Sequence, residues 1–279
     1  MISPDYRVEA EKISLSEKSK NLRLRLLEVT KNAGRGHIGP ALSIMEIVDV
    51  IYRQVFNLHS IKEMLPNRDR FLLSKGHGCL ALYVVLEDLQ LIKALKLDDF
   101  CSYDSAFGGH PENATSPIIE FSTGSLGHGL SVGVGMAKAA KLRNEKWRVF
   151  VLVGDGELNE GSVWEAASHA KKHNLDNLVV IVDFNGMQAS GLVENILDMN
   201  PLRAKWEAFG FDVTEVNGHD SERLKVVFDT QHQDKKPKCV IAYTVKGKGI
   251  KQAENSTNWH HKAKISTDEI DSLKSDLLK

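Results

Sequence analysis

The strongest constraint on the fold is the stretch of residues 148–188, in which two apolar runs flank a helical pattern. The first run, Val149–Val153, is rich in β-branched residues and bounded by turn residues, which is typical of a buried strand. Residues 162–173 place apolar side chains at three- and four-residue spacing, which predicts an amphipathic helix. The second run, Leu178–Val182, completes a βαβ unit, in which both strands run parallel and the crossover is right-handed.

Polar residues and glycines follow both of these strands. Asp155 lies between Gly154 and Gly156 after the first strand, and Asn185 follows the second. Because parallel strands bring their carboxyl ends to one edge of the sheet, these side chains are expected to lie close together. Carboxylate and amide oxygens suit Mg²⁺, glycines let a phosphate approach the backbone, and the next helix N-terminus attracts an anion. The pattern therefore predicts a Mg²⁺–diphosphate site.

The GDG sequence, the spacer and the Asn resemble the thiamine diphosphate signature of the transketolase family. The segments GDGELNEGSVWEAA and LDNLVVIVDFNGMQ are similar to transketolase itself, and most of all to the separate N-terminal subunits of split transketolases. The resemblance implies that Asp155, Asn185 and the main-chain oxygen of Met187 hold Mg²⁺, and that Gly156 and Asn185 bind the cofactor. For GDG taken alone, a glycine turn in any α/β protein is the alternative.

Four histidines lie in short segments that also resemble transketolase. His37, in AGRGHIGPALS, matches a histidine that assists proton transfer, and His110, in GGHPEN, matches one that faces the donor substrate's hydroxyl. His77, in SKGHG, matches a residue that contacts the diphosphate, and His260, in NWHHKA, matches a late active-site histidine. The resemblance implies that His37, His110 and His260 act in catalysis, and that His77 and His260 contact the cofactor. For His37 taken alone, the alternative is a loop histidine that caps a helix.

Two further segments receive roles through the resemblance. STGSLGHG is similar to the turn beside the aminopyrimidine, which implies cofactor contacts from Gly124, Ser125 and Leu126. Its glycine order does not match a nucleotide-binding loop. Glu160 matches an acidic residue that lies near the subunit interface and reaches towards the cofactor-activating glutamate of the partner chain. Its catalytic role is implied in that way, and a first-turn partner of the helix dipole is the alternative for Glu160.

Two lysines lie beside the histidine segments. Lys75 precedes His77 and could add positive charge there, but the expectation for this lysine is a solvated side chain. Lys246 opens the KGKG turn, which is a weak phosphate site by itself but resembles the loop that precedes the late active-site histidine.

Three residues depart from the transketolase pattern. His128 stands where Gln is common, Phe184 where a polar residue is usual, and His261 where Gly is usual. A zinc site at His260 and His261 is a further alternative, but two adjacent histidines would need additional ligands that the sequence does not supply.

Periodicity and turn residues give the remaining elements. Helices are expected over 16–32, 43–56, 79–89, 202–209 and 267–278, and strands over 71–73, 211–216 and 238–244.

Composition excludes several classes of protein. The 279 residues have a net charge of −1 without a basic patch, so nucleic-acid binding is not expected. No apolar stretch approaches the length of a membrane helix, and the first residues lack a signal-peptide pattern. Cys79, Cys101 and Cys239 form no metal or disulfide pattern, which is typical of reduced thiols in a cytoplasmic protein.

The resemblance covers residues 15–264 and implies the thiamine diphosphate-binding fold. We therefore expect one α/β domain over 1–279, with a mainly parallel sheet, helices on both faces and an N-terminal helical segment. The pyrimidine-binding domain, which supplies the glutamate that activates the cofactor, has no counterpart in this sequence.

The implied protein is the N-terminal subunit of a two-component transketolase. It would pair with a complementary C-terminal subunit that carries the pyrimidine-binding domain, in a homodimer of heterodimers. With thiamine diphosphate and Mg²⁺, it would transfer a two-carbon ketol unit from a ketose phosphate to an aldose phosphate. The alternatives are another thiamine enzyme subunit, related to deoxyxylulose-phosphate synthase or to a 2-oxoacid dehydrogenase, and a non-catalytic cofactor-binding scaffold.

Overall fold

Five parallel strands form one sheet in the computed structural model, which describes residues 5–92, 96–230 and 235–279. The strand order is β1-β2-β3-β5-β4. The strands are β1 (Arg70–Leu73), β2 (Val149–Gly154), β3 (Leu178–Phe184), β4 (Asp212–Asn217) and β5 (Lys238–Tyr243). Every residue of β2 and β3 is buried, as expected for central strands of a parallel sheet covered on both faces.

Helices connect and cover the strands. They are α1 (Tyr6–Lys12), α2 (Glu17–Ala33), α3 (Ile38–Leu42), α4 (Met45–Val50), α5 (Leu58–Lys62), α6 (Cys79–Asp88), α7 (Gly129–Leu142), α8 (Gly161–Lys172), α9 (Val193–Leu197), α10 (Leu202–Ala208), α11 (Ser221–Asp229) and α12 (Thr267–Leu277). None of these helices is long and apolar enough to cross a membrane.

Successive side chains of β2 point to opposite faces of the sheet and enter two separate cores. Phe150 and Leu152 belong to the core formed with α2, α4, α6, α11 and α12. Val149, Val151 and Val153 belong to the core formed with α7, α8 and α10. The prediction of a parallel sheet with helices on both faces is therefore confirmed.

The helix predicted over 43–56 is present as α4 and the π-helical turn that continues it, whereas the short α3 before it was not predicted. Helix α3 ends at Leu42, α4 covers Met45–Val50, and a π-helical turn, Ile51–Val55, extends α4. The break coincides with Ser43, whose hydroxyl lies 3.0 Å from Pro40 O and 2.8 Å from the Asp183 carboxylate. A serine hydroxyl that hydrogen-bonds to a nearby main-chain carbonyl competes with the main-chain hydrogen bonds of a helix, and here the Asp183 carboxylate is a second partner of the same hydroxyl.

The predicted boundaries of the other elements agree with the structure to within a few residues. Ser16 caps α2 by accepting a hydrogen bond from Ser19 N at 3.1 Å. All three cysteines are free thiols, and Cys79 and Cys239 are buried whereas Cys101 is partly exposed.

Candidate active site

A cavity of about 280 Å³ lies at the carboxyl ends of the central strands. Of the predicted site residues, the following line it: His37, His77, His110, Gly124, Leu126, Asp155, Gly156, Asn185, Met187 and His260. They come from separate segments of the chain, and the edge of the parallel sheet brings these segments together.

The polar groups after β2 and β3 hold one another in fixed orientations. The Asp155 carboxylate accepts hydrogen bonds from Gly156 N at 2.8 Å and Gly186 N at 2.6 Å. The Asn185 amide oxygen accepts from Met187 N at 3.0 Å, and its amide nitrogen donates to Asp183 at 2.8 Å. Asp155, Asn185 and Met187, which carry a carboxylate, an amide oxygen and a main-chain carbonyl, therefore line the same cavity.

Among the residues that the structure describes, no lysine or arginine forms an ion pair with Asp155. Burial raises the pKa of Asp155 to about 7, with the neighbouring Asp183 carboxylate as the second cause. Lys75 is paired with Asp183 rather than with Asp155. A divalent cation would stabilise the ionised carboxylate, and the all-oxygen donor set is the one that Mg²⁺ prefers. The residues present therefore fit a magnesium ion.

The cavity also offers groups that suit a phosphate. Gly156 is packed so closely that a Cβ there would lie 2.7 Å from Cγ of Gln188. The Gln188 side-chain nitrogen is buried and has no hydrogen-bond partner among the residues that the structure describes. An unused buried donor in the wall of the cavity fits an anionic oxygen.

The helix that follows Asp155 differs from the expectation. A 3₁₀ turn, Gly156–Asn159, comes first, and α8 begins at Gly161. The N-terminus that faces the cavity is therefore that of the short turn, and the main helix dipole starts one turn later.

Lys75 is not solvated, so the expectation for this residue is wrong. Its side chain is buried, its ammonium lies 3.2 Å from Pro40 O, and it forms an ion pair with Asp183. The Asp183 carboxylate also accepts hydrogen bonds from the hydroxyls of Thr244 and Ser43. Burial alone would raise the pKa of Asp183, but Lys75 and these hydroxyls hold the pKa below its ordinary value. The Asp183 carboxylate is thus ionised, and both side chains of the pair are buried.

Lys246 is the second lysine that reaches the cavity. Its ammonium donates to Met187 O at 3.2 Å and Gln188 O at 3.1 Å, and it lies 2.7 Å from Nδ1 of His260. Burial, followed by repulsion from Lys75, lowers the pKa of Lys246 to about 8. The KGKG turn, which is weak evidence by itself, therefore contributes a buried cation to the site.

The four predicted histidines form one cluster around His37. Its ring centre lies 5.7 Å from that of His77, 5.7 Å from His110 and 5.8 Å from His260. Burial is the first cause that lowers the pKa of all four, to about 3 for His37 and His260. All four imidazoles are therefore neutral at pH 7, and each carries one N–H donor and one acceptor nitrogen.

Two predicted site residues lie outside the cavity. Ser125 is exposed and lines a separate depression together with His128. Glu160 is exposed immediately before α8 and makes no capping hydrogen bond to it. The reach of Glu160 towards a partner chain stays a prediction.

Glu157 is a site residue that the sequence reasoning missed. It is buried on the cavity wall, and its carboxylate accepts from Gly127 N at 2.9 Å, Gly154 N at 3.0 Å and the Ser74 hydroxyl. It thereby fixes the turn before α7 against the ends of β1 and β2. The only sequence signal was its position directly after the GDG motif.

Comparison with known proteins agrees with this geometry. The family model described as "Transketolase, thiamine diphosphate binding domain" matches residues 16–278. One apulose-4-phosphate transketolase subunit, from Phocaeicola vulgatus, is 42% identical over 249 residues, which cover 89% of this chain and 88% of the relative. A 6-deoxy-6-sulfo-D-fructose transketolase subunit of a Clostridium species is 33% identical over 252 residues, covering 90% and 92%. The solved transketolase of Campylobacter jejuni superposes on 94% of this chain with a TM-score of 0.80 at 31% identity.

The fold and the cavity define a thiamine diphosphate-binding protein of the α/β class. The chain belongs to the transketolase family. It covers 42% of the Campylobacter transketolase chain, whereas it spans nearly the full length of the two separate transketolase subunits. The prediction of an N-terminal subunit of a split transketolase is thereby confirmed.

Proposed function

We propose that this chain, together with a complementary subunit that carries the pyrimidine-binding domain, transfers a two-carbon ketol unit from a ketose to an aldose. Thiamine diphosphate and Mg²⁺ would be the cofactors, and the assembly would be a cytoplasmic homodimer of heterodimers. The observation that carries the proposal is that oxygen ligands for a metal and four neutral histidines share one cavity.

The substrate would be a ketose that bears an anionic group, such as a sugar phosphate. Two of the relatives that are separate subunits are named for apulose 4-phosphate and 6-deoxy-6-sulfo-D-fructose, each of which combines a ketose with one anionic substituent. In this chain the ammonium of Lys246 already donates to Met187 O, Gln188 O and His260 Nδ1, so the groups that bind the anionic substituent would come from the complementary subunit.

The metal would be held by Asp155, Asn185 and the main-chain oxygen of Met187. The Met187 carbonyl already accepts a hydrogen bond from Lys246, but a carbonyl oxygen has a second lone pair that can bind a cation. His77, Gly156 and Gln188 would bind the diphosphate, and the 124–126 turn would contact the ring end of the cofactor.

The cofactor, when bound, supplies an electron sink for cleavage of the bond between C2 and C3 of the ketose. The chain's own contribution is proton transfer and orientation. The rings of His37 and His260 are neutral, with centres 5.8 Å apart. His37 can accept a proton from a sugar hydroxyl and return it, whereas His260, whose Nδ1 accepts from Lys246, would donate from Nε2. His110, on the other side of His37, would orient the donor hydroxyl.

The proposal is tested by reconstituting the chain with its complementary subunit and measuring transfer of a ¹³C-labelled two-carbon unit from a ketose phosphate. We expect transfer by the assembly and none by the chain alone. His37→Ala is expected to lower kcat by roughly 10²–10⁴-fold, because a general acid–base group is lost. His59→Ala, which alters an exposed histidine on α5, is the matched control.

Three results would contradict the proposal. Full transfer by the chain alone would refute the two-component architecture. An unchanged rate for His37→Ala would favour the non-catalytic scaffold. Turnover of pyruvate in place of ketose phosphates would indicate a different thiamine enzyme.

A further inference from the structure

A buried polar network lies next to the lysine turn of the cavity, and the proposed function does not use it. It consists of Arg23 on α2, Glu46 on α4 and His219 between β4 and α11, and we call it the positioning network. The Glu46 carboxylate accepts from Arg23 at 2.7 and 3.1 Å and contacts His219 Nδ1 at 2.8 Å. All three side chains are buried.

The protonation of His219 follows from its two partners. Val245 N–H donates to Nε2 at 2.9 Å, so Nε2 carries the lone pair. The ring hydrogen is therefore on Nδ1, where it donates to Glu46. Burial lowers the pKa of His219, which favours this neutral form. His219 thus links a carboxylate on α4 to the main chain of the lysine turn.

The positioning network holds the lysine turn on both sides of Lys246. His219 binds the main-chain nitrogen of Val245, and Arg23 Nε donates to the main-chain oxygen of Lys248 at 2.8 Å. The residue between them, Lys246, extends its ammonium to the 187–188 carbonyls and to His260 Nδ1. Because the charged lysine donates to Nδ1, the hydrogen of the His260 ring resides on Nε2.

Fold stability alone does not account for this arrangement. A buried ion pair contributes little net stability compared with apolar side chains of the same volume. Apolar side chains could fill the space, but they could not bind a main-chain N–H before Lys246 and a main-chain oxygen after it. The contacts that only polar groups can make are the ones that fix the position of the lysine.

We propose that His219 and Arg23 are positioning residues, which hold the 245–248 turn so that Lys246 selects the ring tautomer of His260 and orients the 187–188 carbonyls. This inference rests on the proposed function for its effect on catalysis. The tautomer of His260 can be measured without turnover, so the two proposals can fail separately.

Two substitutions of His219 separate its two hydrogen bonds. The longer side chain of Gln places its amide near the position of Nε2, where its oxygen can accept from Val245 N–H. The shorter Asn places its amide near Nδ1, where it can donate to Glu46 but cannot reach Val245. Leu224→Ala, a buried position on the neighbouring α11, is the control for loss of packing.

The first measurement is the ¹⁵N NMR spectrum of the histidine side chains, with the His260 signals assigned from His260→Gln. We expect wild type and His219→Gln to show His260 protonated on Nε2, and His219→Asn to show a mixture of tautomers. Lys246→Met leaves the positioning network intact and is expected to give the same mixture. An unchanged His260 tautomer in Lys246→Met would overturn the inference, whether or not the Asn variant folds.

The second measurement is the kinetics of the assembly with its complementary subunit. We expect His219→Asn to lose about tenfold or more in kcat, and His219→Gln to stay within about threefold of wild type, because displacement of a catalytic group affects the chemical step. Equal losses of kcat in His219→Asn, His219→Gln and Leu224→Ala would show that His219 has only a structural role. An assembly that is inactive in wild type but shows the expected tautomers would refute the proposed function alone.

Discussion

Lowering the pH from 8 to 6 is expected to weaken binding of Mg²⁺ and thiamine diphosphate about tenfold through one carboxyl group. Burial, followed by repulsion from Asp183, raises the pKa of Asp155 to about 7. The ionised carboxylate, which is the form that binds a metal, then makes up roughly nine-tenths of the molecules at pH 8 and roughly one-tenth at pH 6. This ratio corresponds to about 1.4 kcal/mol of binding free energy.

The assay is titration calorimetry of Mg²⁺–thiamine diphosphate into the reconstituted assembly at both pH values. Two buffers of different ionisation enthalpy give the number of protons released, which should approach one from Asp155 at pH 6. His37 and His260 add nothing in this range, because burial lowers the pKa of each to about 3. Lys246, whose pKa burial lowers to about 8, can also exchange a proton here, and it is present in the control variant as well.

Asp155→Asn is the matched control, because it keeps an oxygen ligand and removes the ionisation. The diphosphate of the cofactor titrates equally in both proteins, so the difference between them isolates the Asp155 carboxyl. Asp155→Asn should bind Mg²⁺–thiamine diphosphate more weakly than wild type at pH 8, and its affinity should lack the tenfold change between pH 8 and pH 6 that comes from Asp155. The same pH dependence in both proteins would refute the reasoning.

Three further outcomes concern the stability of the chain without cofactor. Folding raises the pKa of Asp155 to about 7, so the stability that this group contributes is full below about pH 4 and is lost as the pH rises to 7. The denaturation midpoint of wild type should therefore fall over this pH range relative to that of Asp155→Asn. The added Cβ of Gly133→Ala would overlap Val151, and this variant should lose about 1–3 kcal/mol of unfolding free energy in urea. The Cβ of Gly135→Ala, on the same helix, meets no other atom, and this variant should gain about 0.5–1 kcal/mol. A change of the same sign in both variants would contradict this account of the packing. Ser266→Ala removes the capping box of α12 and should cost about 1 kcal/mol, with no change expected in cofactor affinity.

The features predicted from the sequence are those that local patterns encode. The apolar runs of β2 and β3 fix two parallel strands, and parallel strands end at one edge, so Asp155 and Asn185 had to meet there. The histidine segments have glycine-rich flanks that resemble known motifs, which is why all four could be assigned before their distances were known. Neither inference needs a contact between distant parts of the chain.

The features that the sequence did not reveal depend on distant partners. Lys75 looked like a solvated lysine, because its partner Asp183 lies 108 residues away and reads as the last polar residue of a strand. The break after α3 has the same origin, since Ser43 binds that carboxylate across 140 residues. His219 gives no local signal of its role, because its partner Glu46 is 173 residues away. No periodicity or spacing encodes such pairs.

The four partners of Asp183 have a consequence for how genes of this kind can be divided. Its single carboxylate joins Ser43, Lys75, Thr244 and Asn185, which lie in four of the segments that build the cradle for metal and cofactor. A break between this domain and a pyrimidine-binding domain leaves all four contacts intact, so separation into two polypeptides is tolerable. A break anywhere between Ser43 and Thr244 would separate the groups that share this carboxylate. We would expect neither of the resulting fragments to bind thiamine diphosphate.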